Sequence, residues 1–82
     1  MPVICRFYGI VIKLFFADHN PPHFHAVYGE YNAVFQIDTC EILEGDLPNR
    51  AQSLVKEWAK NNKEELVKMW NTQEFHELPP LS

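Results

Sequence analysis

FHAVYGEYNAVFQI, Phe24 to Ile37, places two runs rich in aromatic and β-branched residues on either side of Gly29-Glu30. Glycine at the first of two loop positions supplies the positive φ that a type II′ hairpin turn requires. A two-residue loop also fixes the register, setting Tyr28 opposite Tyr31, Ala26 opposite Ala33 and Phe24 opposite Phe35. Those six residues, with Ile37, form one apolar face. The other face receives His23, His25, Val27, Asn32, Val34 and Gln36, because side chains alternate along a strand. Two neighbouring histidines are therefore predicted to leave the sheet together on its less apolar side.

Upstream, VICRFYGIVIKLFF reads as two further strands. Val3 to Phe7 forms the first, Tyr8-Gly9 turns the chain, and Ile10, Ile12, Leu14 and Phe16 share one face of the second. Downstream, DTCEILEG reads as a tight turn and a short strand from Glu41 to Glu44. Asp46 is placed to cap a helix with Pro48 in its first turn. Ala51, Leu54, Val55, Trp58 and Ala59 recur at helical spacing. Asn62 with Glu65 makes a capping-box pair for a second helix, whose apolar face is Leu66, Val67, Met69 and Trp70. FHELPPLS ends the chain as an extended tail.

Strands followed by helices predict an α+β fold, an antiparallel β-sheet of about five short strands packed against two C-terminal α-helices. The chain is expected to be a single domain over residues 1–82. Its strands lie within about 3–44, its helices at about 47–60 and 63–73, and its tail at 74–82.

The 82 residues are 46% hydrophobic and 13% aromatic, enough for one core without disulfide staples. A net charge of −4 disfavours nucleic acid, whose binders neutralise phosphates with Lys and Arg. Residues 1–48 carry two basic groups against six acidic ones, and residues 49–68 carry five against three. Mixed charge on a helix is the pattern of a solvated face. Cys5 and Cys40 are too few and too far apart for a disulfide framework or zinc ribbon. No leader or membrane-spanning run is visible, so a reducing, cytoplasmic setting is expected.

The densest chemistry lies just before the hairpin. DHNPPHFHA, Asp18 to Ala26, holds three histidines, an aspartate and two prolines. Together with YG at 28–29, EGDLP at 44–48 and the order of the surrounding runs, this segment resembles the bacterial domain-of-unknown-function 4160 family. The likeness runs from residue 1 to about residue 72. It implies a small stand-alone protein with no assigned reaction, similar to one half of a two-gene pair of toxin–antitoxin type. The family pattern favours glycine where this chain has Cys40, so the turn after Asp38 departs from it.

Three readings of the segment compete. In the plainest, Asp18 and the prolines stiffen a turn, and His23 and His25 are solvated or packed on a helix. In the second, Asp18, His19, Pro22, His23, His25 and Tyr28 form the binding surface of a non-enzymatic interaction module. Its partner is a protein, either a neighbouring gene product or a second copy of the chain. In the third, His19, His23 and His25 ligate zinc or a similar divalent transition metal in a small hydrolase or nuclease-like component, and Asp18 orients a ring or acts as base. The H-x-H spacing puts the Cα atoms of His23 and His25 about 6–7 Å apart, within reach of one ion. H-x-H-x4-E ending at Glu30 matches a cupin motif, but the chain is too short for that barrel.

Elsewhere, Arg6 reads as an edge-strand arginine facing water, with a carboxylate partner such as Asp18 as the alternative. Trp58 and Trp70 read as core, His76 as a lone surface histidine, and Glu64 with Lys68 as a surface pair.

Overall fold

The computed structural model describes residues 3–15 and 21–81, which contain the following elements. Five strands, β1 (Val3–Phe7), β2 (Ile10–Lys13), β3 (His23–Tyr28), β4 (Tyr31–Gln36) and β5 (Ile42–Gly45), precede α1 (Asn49–Asn61) and α2 (Lys63–Thr72). The strands form one antiparallel sheet in the order β1-β2-β3-β4-β5. This is the α+β arrangement read from the sequence. No described helix is long and apolar enough to cross a membrane.

The β3–β4 register is the one the turn dictates, with Phe24 opposite Phe35, Ala26 opposite Ala33 and Tyr28 opposite Tyr31. Gly29 has φ +57 and opens the loop. Phe24, Ala26, Ala33, Phe35 and Ile37 are all buried on the face that meets the helices. Trp58 of α1 stacks on Phe7 with ring centroids 5.7 Å apart and sets its ring edge to face with Phe24 at 6.0 Å. Ile10, Ile12 and Leu14 complete this layer, whereas Phe16 lies outside the described residues. A bulge between Val3 and Cys5 lets both Ile4 and Cys5 turn inward. Burial pushes the Cys5 thiol up from its ordinary pKa, so it stays a neutral apolar filler.

Several local expectations change. Strand β2 ends at Lys13 rather than Phe16, and β5 begins one residue later than Glu41. Asp46 does not cap α1. Pro48, at φ −56 and ψ 148, holds the N-cap position without a side-chain cap, while Asp46 Oδ1 accepts from the Leu47 N–H. Asn62 does not form the capping box either. Its Nδ2 donates back to the Trp58 carbonyl at 2.9 Å, so the side chain finishes α1 instead of opening α2. His76 is not alone, since its Nε2 lies 3.2 Å from Glu65 Oε2. The extended tail has a structural task. Leu78 N–H donates to the Ile4 carbonyl at 2.8 Å, and Trp58 Nε1–H donates to the Pro79 carbonyl at 2.9 Å, covering the β1 edge.

The turn after Asp38 keeps the shape that glycine would favour. Cys40 has φ +61, and its N–H donates to the Gln36 carbonyl at 2.8 Å. A Cβ in the left-handed region costs about 1–2 kcal/mol, partly offset by the smaller entropy that a non-glycine residue loses on folding, about 0.5–1 kcal/mol. Cys40→Gly is therefore expected to stabilise the domain by about 0.5 kcal/mol, raising Tm by about 2–4 °C in a thermal melt. Cys40→Val, with a branched Cβ, should lower Tm. A fall in both variants would contradict this account of the turn.

Candidate functional site

The odd-numbered side chains of β3 emerge on the face away from Trp58. Across the sheet they line up in two rows. One runs Arg6, Val11, Val27, Asn32, and the other runs Lys13, His25, Val34, Glu44. Three valines on three adjacent central strands make the middle of this outer face apolar. Arg6 and Lys13 stand toward the β1 edge, and Glu44 stands on the β5 edge. The valines, Lys13 and His25 are half-buried, while Arg6 and Glu44 are exposed.

His23 and His25 lie together, as their parity requires, with ring centroids 5.4 Å apart. Their surroundings differ. His23 is buried at 6% exposure, and its ring meets that of Trp70 at 5.1 Å. Trp70 belongs to the core cluster, so His23 joins the core at the end of the sheet to the outer face. His23 Nδ1 lies 2.7 Å from the Pro21 carbonyl oxygen. A carbonyl can only accept, so Nδ1 carries the proton, and in the neutral ring Nε2 is the acceptor nitrogen. The next carbonyl, of Pro22, accepts from the Ile37 N–H at 3.0 Å. Both prolines are thus tied into the sheet. His25 packs edge to face against Phe15 at 4.5 Å, with its Nε2 withdrawn from water.

The six binding residues nominated by the sequence do not form one constellation among the described residues. Asp18 and His19 lie outside them. Pro22, His23 and His25 share one end of β3. Tyr28 has even parity and sits on the helical face, five residues, or about 16 Å, from His23. For the metal reading, no described group of three His, Cys, Asp or Glu side chains is placed to hold an ion. The structure brings together His23 and His25, and His19 is the donor beyond its description.

Tyr28 instead helps line a groove of about 280 Å³ at the opposite end of the sheet, with Tyr8, Ile10, Arg50, Leu54 and Leu81. Tyr8 is exposed and holds φ +48 in the β1–β2 turn. Sequence reasoning missed this groove because its walls come from the β1–β2 turn, the adjoining ends of β2 and β3, one side of α1 and the tail. The only local signal was a tyrosine where a turn favours glycine or asparagine.

The model of the DUF4160 family, described as a domain of unknown function, matches residues 9–71, most of the chain. No curated protein and no solved structure matches the chain.

Proposed function

The chain belongs to the DUF4160 family, whose description names no reaction, and we propose that it is a non-enzymatic protein-interaction module that binds through the outer face of its sheet and the adjoining segment 18–25. The observation that carries this reading is one-sided layering. Trp58 and the core cluster occupy one face, while the other presents Val11, Val27 and Val34 between charged margins. An apolar centre with a polar rim is the composition of a contact surface. A partner encoded beside the chain would make it one half of a two-gene pair.

The test is binding of the purified neighbouring gene product, and of the chain to itself, with wild type and Val27→Lys. Val27 is half-buried on the outer face, so the variant is expected to retain its circular dichroism while losing at least about tenfold in affinity. Tyr28→Ala, on the helical face, should bind as wild type does. Affinity unchanged by Val27→Lys, or lost only in Tyr28→Ala, would overturn the assignment.

A second reading, a metal-dependent hydrolase on His19, His23 and His25, draws on the fixed tautomer of His23. A hydrogen bond from Nδ1 to a carbonyl is the arrangement that orients a ligating imidazole. In that case zinc at about 100 times its Kd would add about 2.7 kcal/mol of stability, and chelator would remove it. A melt indifferent to both rejects this reading.

A further inference from the structure

We infer that the partner of the outer face is a second copy of this chain, docked sheet to sheet about a two-fold axis parallel to β3. The inference rests on the contact-face reading above and adds the identity and orientation of the partner.

The charge pattern carries it. Cations predominate toward one edge of the outer face, as Arg6 on β1 and Lys13 on β2, with the carboxylate Glu77 of the tail lining the recess beside Arg6. An anion stands at the other edge, as Glu44 on β5. Arg6 and Glu44 are exposed, and Lys13 is half-buried. Between them lie Val11, Val27 and Val34. A surface that is positive at one margin, apolar in the centre and negative at the other is complementary to its own image, provided that the image is reversed across the strands.

Packed sheets keep their strands within about 30° of alignment, at about 10 Å separation. Two kinds of in-plane two-fold axis satisfy that condition. An axis perpendicular to the strands lays β1 over β1 and β5 over β5, placing like charges together. An axis parallel to β3 reverses the strand order, so β1 and β2 of one copy lie over β5 and β4 of the other. Arg6 on β1 then lies over the β5 margin that carries Glu44, and Lys13 on β2 lies over Val34, one strand in from Glu44, twice by symmetry, while Val27 meets its own copy on the axis. An isologous contact of this kind closes on itself and leaves no surface for further growth.

Charge reversal provides the test. Glu44→Lys alone gives an outer face with cations at both margins, and Arg6→Glu with Lys13→Glu gives one with anions at both. Sedimentation equilibrium should show wild type as a reversible dimer. Each variant alone is expected to self-associate at least about tenfold more weakly, as repelling pairs replace attracting ones. An equimolar mixture of the two variants restores every opposite-charge pair, so it should recover a heterodimer with affinity within about threefold of wild type. Circular dichroism of each variant confirms that it is folded. A monomeric wild type, variants that self-associate normally, or a mixture no tighter than its components would overturn the inference. If wild type is monomeric but binds the neighbouring gene product in a Val27-dependent manner, the dimer fails and the contact-face reading stands. If neither association occurs, both fall.

Discussion

Trp58→Ala is expected to lower the stability of the domain by about 3–5 kcal/mol, the usual range for removing a fully buried large aromatic side chain. Trp58 is 1% exposed and is packed between Phe7 and Phe24. A domain of this size has a total stability of roughly 4–12 kcal/mol, so the variant should be largely unfolded under mild denaturant. Trp58→Phe separates the two tasks of the residue. Its ring retains most of the packing but cannot donate to the Pro79 carbonyl, which lies 2.9 Å from Nε1. Loss of that hydrogen bond should cost about 1–2 kcal/mol and release the tail from the β1 edge. Hydrogen exchange then reports the difference: the Leu78 amide, which donates to Ile4, loses protection while amides of β3 and β4 keep theirs. Protection at Leu78 unchanged in Trp58→Phe would show that the tail is held by something else.

Gly45→Ala should cost about 3 kcal/mol or more, although the position is at the surface. Gly45 has φ +80, and an added Cβ would overlap the Asn32 carbonyl oxygen and press on Ala33 Cα at 3.0 Å. Backbone, not a flexible side-chain end, stands in the way, so β5 must move off β4. The Asp46 N–H that donates to the Asn32 carbonyl moves with it. Because Glu44 is carried on the same strand, the variant should also disorganise the negative margin of the outer face. Gly29→Ala is the control. It has a positive φ as well, but open space around the added methyl, so its cost should be confined to about 1–2 kcal/mol. Equal losses at the two glycines in urea unfolding would mean that steric overlap at Gly45 is not the cause.

The hairpin was legible because its information is local. One glycine sets the turn, the turn sets the register, and the register sorts the twelve paired residues of the two strands onto two faces. The neighbouring positions of His23 and His25 followed from parity alone. What could not be read was whatever depends on a partner far along the chain. His23 is buried because Trp70 arrives from α2, 47 residues later, and a polar residue on the less apolar face gives no sign of that. The caps failed for the opposite reason, a competing partner close by. Asp46 and Asn62 are good capping residues, but each side chain had a nearer partner, Leu47 N–H in one case and the Trp58 carbonyl in the other. Cys40 shows the reverse: a residue poorly suited to a left-handed turn adopts one because the flanking strands demand it. The groove beside Tyr8 was invisible because no single segment builds it.

The outer face gathers its members from all five strands, yet each belongs to a short alternating run. Val11, Val27 and Val34 could be assigned to one side as soon as the strands were aligned. Their meaning as a patch, and the opposed charges at its margins, required the strand order. That order puts Arg6 and Glu44 at the two edges of the sheet instead of side by side.

Amide chemical-shift mapping tests the outer-face assignment most directly. Isotope-labelled chain is titrated with unlabelled chain and, separately, with the neighbouring gene product. At least one titration should move the amides of Val11, His25, Val27 and Val34, leaving those of Gly9 and Ala51 beside the groove in place. Shifts confined to the groove end, or none in either titration, would contradict the assignment of this face as the surface through which the protein acts.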